Sequence, residues 1–404
     1  MQTLKETQHH ASTNAHIPIR AMWESGEHVL LGDSVNLMFP SGKVPAYMIK
    51  LVPYFDSVNS LYHAPDQYTF GEVLALAGDF IGIPEHPISD SSNQSEQFND
   101  NYSQLCFLAS NDKKQVASIL ELIHREIDML NKATDPSKVY EEIGDSFSLQ
   151  WNVITGGENM NCPFSSEQIP NPFKLGRYLQ LATMNWDHFG YRAALCYKAG
   201  HTQAVLAAQR ARNAPPQYQE RMLESAYSID AFSCHYLTDM FSSGHMRTPR
   251  KELYDSCGTT SGGLLARAMH DQDSKIGLNV HNAVGLKWTA YGDGQLLMKE
   301  NFVNMIQAKA AVQASADEIW AAFSAPSSPI SFNALNYAPL YEDSANTNGK
   351  SPLFMAQNQN SNDGLKVYVR TSADLNDYNH TTDWHIATTL AWCVANELIR
   401  IPCT

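Results

Sequence analysis

In the stretch CHYLTDMFSSGH, residues 234–245, a histidine, an aspartate and a second histidine stand at positions 235, 239 and 245. Side chains four residues apart lie on one face of a helix, so His235 and Asp239 are spaced to close on a single metal ion. His245, six residues further on, can reach that ion or a neighbouring one. A lone His-x-x-x-Asp pair is more often a half-buried helix face with a satisfied core histidine, so the rest of the chain has to decide. More histidines stand beside carboxylates or glycines, outside any clear apolar stripe. NWDHFGYR holds Asp187 and His188, RAMHDQDSKIG holds His270, Asp271 and Asp273, and WESGEHVLLGD holds Glu27, His28 and Asp33. Asp79 closes the apolar run of ALAGDFIGIP. Taken singly, each has an ordinary explanation, Asp79 as a turn cap and His28 as a surface residue.

Positioning such residues requires regular elements, and the apolar periodicity supplies them. Residues 113–131 place Val116, Ile119, Leu120, Ile123, Ile127 and Leu130 at helical spacing. His124 falls inside that pattern and reads as structural. Segments 175–212, 217–242 and 299–324 carry the same period, and long helices with short connections predict a mainly α core. EHPISDSSNQSEQFNDN and TGGENMNCPFSSEQIPNPF, rich in Ser, Asn, Gly and Pro, read as surface loops. Beyond residue 325 the texture changes. SAPSSPISFNALNYAPLYEDSANTNGKSP is linker-like, GLKVYVRT alternates as a strand does, and WHIATTLAWCVANELIRI fits a helix or a buried strand pair. The expected organisation is a helical domain over 20–324 and a smaller C-terminal accessory region over 325–404, with room for β structure.

Composition narrows the classes. A chain of 404 residues with 43% hydrophobic and 17% charged residues has the balance of a folded globular protein, not of a disordered one. Its net charge of −14 argues against a long nucleic-acid partner, whose binding rests largely on neutralising phosphates. No apolar run is long enough for a transmembrane helix. The N-terminal MQTLKETQHHASTNAHIPIR lacks the apolar centre of a signal peptide, so export by another route, or a leader already removed, is expected. Seven scattered cysteines without a C-x-x-C pair argue against a cysteine zinc site, and leave one or two disulfides open. A His-Glu-x-x-His zinc protease motif does not occur.

Taken together, HYLTDMFSSGH and the blocks NWDHFGYRAALCYKAGHTQAVLAA, MHDQDSKIGLNVHNAVGLKWTAYGDG and AAVQASADEIW resemble the superfamily of zinc-dependent phospholipases C and single-strand-specific zinc nucleases. The bacterial phospholipase C branch is the better match. The resemblance covers about residues 20–90 and 178–324, which makes 90–180 an insertion.

It implies an all-helical fold holding two or three zinc ions. His188 and His235 would bind one, Asp239 would bridge to a second, and His245 and His270 would bind another with a carboxylate one turn later. That position holds Ser274, so Asp273, on the same face at i+3, becomes the candidate acid. Asp79 matches the aspartate near the attacked phosphorus, as both ligand and catalytic base. The family's remaining zinc uses an N-terminal tryptophan and a nearby histidine. Trp23 and His28 have suitable spacing, but an internal peptide nitrogen is not a useful ligand, so His28 alone is carried over.

The implied activity is hydrolysis of glycerophospholipids, of phosphatidylcholine type, at a membrane surface. Its products are diacylglycerol and a phosphorylated head group, and the implied setting is a bacterial enzyme secreted or translocated as an effector. Two alternatives stand beside it: a zinc nuclease or nucleotidase, and a non-catalytic metal-stabilised module whose C-terminal region binds a partner.

Overall fold

The computed structural model describes residues 24–57, 60–63, 67–143, 146–159, 174–340, 349–357 and 365–398. Trp23 lies outside them, as do Cys162 and Cys403. The fold is mainly α. Its first helices are α1 (Ser25–Asp33), α2 (Phe70–Leu76), α3 (Gln94–Asn111), α4 (Lys113–Lys132), α5 (Pro136–Ile143), α6 (Ser146–Ile154) and α7 (Arg177–Thr183). They are followed by α8 (Gly190–Asn213), α9 (Pro216–Asp239), α10 (Ser243–Met246), α11 (Arg250–Cys257), α12 (Thr259–Ile276), α13 (Phe302–Ser324) and α14 (Ile386–Ala395).

Helix α9 is the axis of the molecule. Proline near its N-terminus presets the first turn. From Ser225 to Asp239 every residue is buried, so it is wrapped on all sides, as a central helix must be. Helices α8, α2 and α13 pack against it, and α1 lies along α2. Helix α2 is short but firmly started: Thr69 Oγ1 accepts from the Glu72 amide at 3.0 Å, and the Glu72 carboxylate accepts from the Thr69 amide at 2.7 Å. His124, expected to be structural, sits half exposed on α4 and reaches the same Glu72 at 3.1 Å.

The polar stretch 85–101 departs from the expected loop, because α3 begins inside it at Gln94. Asn93 caps that helix by accepting from the Glu96 amide at 3.3 Å. Its Ser, Asn and Gln residues form an outer face around buried Phe98, Asn101 and Tyr102. Helix α3 then packs on α8, and α4 on α1, so the expected insertion contributes to the main core through α3, α4 and α6.

Among the described residues, three antiparallel hairpins decorate the bundle: β1 (Asn36–Phe39) with β2 (Gly42–Pro45), β3 (Tyr54–Ser57) with β4 (Ser60–His63), and β5 (Leu278–His281) with β6 (Lys287–Ala290). The last runs in register from Leu278 opposite Ala290 to His281 opposite Lys287. The C-terminal part contains β7 (Phe354–Gln357), β8 (Lys366–Arg370) and β9 (His380–Thr381), an antiparallel sheet of order β7-β8-β9. The alternating GLKVYVRT is indeed a strand, and WHIATTLAWCVANELIRI holds helix α14. This sheet and helix share a second core with α11 and α12, in which Leu253, Leu265, Ala266 and Met269 meet Leu353, Phe354, Val367, Val369 and Cys393. Cys106, Cys196, Cys234, Cys257 and Cys393 are free thiols. Among the described residues, no helix is long and apolar enough to cross a membrane.

Candidate metal centre

Asp239 ends α9, and its two oxygens sit among four imidazoles delivered by four different elements. Oδ2 lies 2.7 Å from His188 Nδ1 and 3.5 Å from His235 Nε2. Oδ1 lies 3.4 Å from His245 Nδ1 and 3.7 Å from His28 Nε2. His28 comes from α1, His188 from the 3₁₀ turn Trp186–His188, His235 from one turn earlier on α9, and His245 from α10. His188 Nδ1 and His235 Nε2, 47 residues apart in sequence, approach to 3.1 Å. That is within the span of one ion whose ligands sit about 2 Å from it.

Asp79 reaches this cluster through a tight turn after α2. Gly78 there has φ +66°, and a Cβ on it would lie 2.5 Å from His188 Cε1 and 2.7 Å from His235 Nε2. Only glycine combines that backbone with that closeness. The ligand atoms form three groups, each within 4.8 Å: His28, His235 and Asp239; Asp79, His188 and His235; and His245, His270 and Asp293. The first two share His235.

Asp293 supplies the acid of the third group, and Asp273 does not belong to it. Both Asp273 oxygens are taken at 2.8 Å by Arg247 Nε and Nη2, in a buried bidentate pair. Asp293 Oδ2 lies 2.9 Å from His270 Nε2, while Oδ1 accepts from Ser242 Oγ at 2.6 Å. The position expected to carry an acid shows why. A Cβ on Gly292 would fall 2.2 Å from Ser274 Oγ, and one on Gly244 would fall 2.4 Å from it. Two chain segments close on Ser274, leaving no room for a glutamate, and the carboxylate enters from the residue after Gly292. The doublet of glycines around Asp293 in YGDG was the available signal.

The outward ring nitrogens of His28, His235 and His270 are tethered, as in histidines that hold metal. Thr238 donates its hydroxyl to the carbonyls of Cys234 and His235, so its oxygen accepts from His28 Nδ1 at 2.9 Å. His235 Nδ1 donates to the Leu74 carbonyl at 3.0 Å, and His270 Nδ1 lies 2.9 Å from Asp271 Oδ1. In His28 and His235 the Nε2 lone pair is thereby turned toward the centre. Asp187, beside His188 in the sequence, accepts from the backbone amides of Ile88 and Ser89.

Every residue of the three groups is at most 5% exposed. Among the described residues, Asp79 Oδ1, Asp239 Oδ1 and both nitrogens of His245 are buried without a hydrogen bond. Leaving such groups bare is costly, and cations held among them would satisfy Asp79 Oδ1, Asp239 Oδ1 and one nitrogen of His245. The protonation states of His28, His235 and Asp239 agree with that use. Burial holds His235 well below the usual histidine range and brings His28 down to about 4, so both are neutral donors at pH 7. Burial alone would raise Asp239, but the imidazoles of His235, His188 and His245 around it outweigh burial and hold its carboxyl well below the usual carboxylate range. Burial, with the charges of Asp239 and Asp293 behind it, pushes Asp79 well above the carboxylate range. The donor set of imidazoles and carboxylates, without thiolate, suits a borderline divalent ion.

No family model, curated protein or solved structure matches the chain.

Proposed function

We propose that the chain is a zinc-dependent phospholipase C, hydrolysing glycerophospholipids to diacylglycerol and a phosphorylated head group. The reading rests above all on one observation: a buried aspartate at a helix end, with both oxygens ringed by His28, His188, His235 and His245 and with Asp79 alongside. That arrangement is suited to hold ions in pairs about a shared carboxylate. The resemblance of the surrounding sequence blocks to the phospholipase branch supplies the substrate class.

Bound zinc supplies Lewis acidity toward phosphoryl oxygens and makes water acidic enough to attack at neutral pH. His188, His235 and Asp239 would hold one ion, His28 and Asp239 a second, and His245, His270 and Asp293 a third. Asp79 lies on the His188 side with Oδ1 uncommitted; with cations bound beside it to restore its ionised form, it would orient the attacking water and accept its proton. Thr238, Leu74 and Asp271 fix the rings, so little reorganisation accompanies charge build-up at phosphorus.

The test pairs metal analysis of the purified protein with turnover on a lipid panel. Two or three zinc equivalents and diacylglycerol release from phosphatidylcholine are expected. Cleavage of single-stranded oligonucleotides in place of lipid selects the nuclease reading. Stoichiometric zinc with no phosphodiester turnover selects a metal-stabilised binding module.

A further inference from the structure

Residues 349–357 and 365–398 lie far along the chain from the metal centre, yet they grip the helix that carries His270. Lys350 Nζ donates to the carbonyls of Ile276 and Gly277, at 2.6 and 2.7 Å, where α12 runs out of internal donors. Its own carbonyl accepts from Arg247 Nη1 at 2.6 Å. Arg247 is two residues past His245 and holds Asp273, three residues past His270, through two bonds of 2.8 Å. One turn of polar contacts thus ties the His245 segment, the His270 helix and the C-terminal unit together. Arg370, only 1% exposed, adds a second grip: Nη2 donates to Gln272 Oε1 at 3.2 Å while Nη1 and Nε donate to the Ser351 and Ser372 carbonyls. Beneath the polar contacts, Met269 and Leu265 of α12 are packed into the C-terminal sheet's core.

His270 needs this help more than the other ligands do. Asp239 and His235 are set by the central helix, buried on every side. His270 lies on a helix that packs on α11, α10 and α14, and its acid partner Asp293 arrives separately, at the far end of hairpin β5–β6.

We propose that the C-terminal unit is a positioning element for the His245–His270–Asp293 group, with Lys350 and Arg370 holding α12 where His270 meets Asp293. The ligand concerned is a divalent metal ion of the zinc class, and the proposal rests on the metal reading of the centre. Neither Lys350 nor Arg370 touches the ion. Their loss therefore loosens one group and spares the others, which is what separates positioning from general stability.

The experiment uses the full-length protein, loaded with zinc and dialysed against graded chelator. Lys350→Met and Arg370→Leu are compared with the wild type and with Trp320→Ala, a packing change on α13 where Trp320 stacks on Phe323. At a chelator level where the wild type keeps all its zinc, both variants should hold one equivalent fewer. The affinity of that equivalent should fall by on the order of 10-fold, as for other supporting contacts behind a ligand. Trp320→Ala should keep the wild-type count. Wild-type zinc count and affinity in the two variants overturn the proposal, as does parallel loss in Trp320→Ala. If Arg370→Leu does not fold, Lys350→Met, on a half-buried side chain, carries the test by itself. A wild type that binds no zinc removes the metal reading, and the proposal falls with it.

Discussion

Helices α8 and α9 carry a second buried histidine–carboxylate cluster, and it behaves oppositely to the metal centre. His201 Nδ1 lies 2.7 Å from Asp230 Oδ1, and Nε2 lies 3.3 Å from Glu318 Oε2. Ser315 Oγ donates to Asp230 Oδ1 at 2.8 Å, and Tyr197 donates its hydroxyl to Ser315 at 3.0 Å. Glu318 also accepts from the amide and hydroxyl of Ser331, the latter at 2.9 Å. Each nitrogen of this imidazole faces a carboxylate, so a proton on the ring completes the cluster. In the metal centre four rings crowd about one carboxylate and against each other: His188 Nδ1 lies 2.7 Å from Asp239 Oδ2 and 3.1 Å from His235 Nε2, and His245 has no hydrogen-bond partner on either nitrogen among the described residues. Residue types and burial are alike in the two regions. What differs is the ratio of acids to rings and whether the lone pairs face protons or one another. One cluster is a lock between helices, and the other has the donor groups that could cage cations.

Breaking the cage should have the largest effect. Asp239→Asn removes the charge shared by the ions, and turnover should drop by more than about 10⁴-fold, beyond the usual loss for a general base. Zinc content should fall with it, further than for any single histidine replacement. Full zinc with near-normal turnover in Asp239→Asn would sink the shared-carboxylate role.

Asp79→Asn separates holding metal from using it. Asparagine keeps the shape but cannot take a proton, so kcat should fall about 10²–10⁴-fold. Zinc content and KM should change far less. If Asp79 merely caps the turn after α2, asparagine, itself a good capping residue, leaves kcat at the wild-type level.

The lock should answer in stability instead. His201→Ala leaves Asp230 buried beside a cavity without its counter-charge, which costs about 3–5 kcal/mol. The urea midpoint should fall accordingly, while zinc per folded chain stays unchanged. Zinc lost in step with His201 would show that the two clusters are not separate devices.

How much of this was legible follows from what fixes each residue. His235 and Asp239 were readable because helical period alone sets their face. Their neighbours His28, His188, His245 and His270 were marked by adjacent acids and glycines and by block resemblance. Asp273 was misjudged because an i+3 relation says which face a side chain occupies but not what stands opposite, and there it is Arg247. Asp293 was missed because its approach is set by the packing of Gly292 on Ser274, a contact no local pattern encodes. The strand at 366–370 showed in its alternation, but alternation cannot say that α12 covers its buried face. The start of α3 was hidden because polar residues on an outer helix face look like loop residues in composition.

The smallest effect is a pH dependence, and it has opposite signs in the two clusters. Burial pulls His201 down, but its hydrogen bond to Asp230 and the charges of Asp230 and Glu318 outweigh that and raise it to about 9. An unfolded chain protonates histidine near 6.5. The folded state therefore gains from the His201 proton fully below pH 6.5 and loses that gain as pH rises through 9. The gain is at most about 3 kcal/mol. Tyr197, facing the same cluster, is pushed by burial well above its usual value and stays protonated across this window. Metal ligands work the other way, since raising the pH removes protons that compete with the ion. Urea midpoints of wild type alone would mix the two, so the decisive quantity is the difference between wild type and His201→Gln at each pH. That difference should be greatest near pH 6 and shrink steadily to pH 9.5, with zinc held saturating throughout. A difference that stays flat over this range would mean that His201 carries no extra proton in the folded chain. The contrast between lock and cage would then rest on geometry alone.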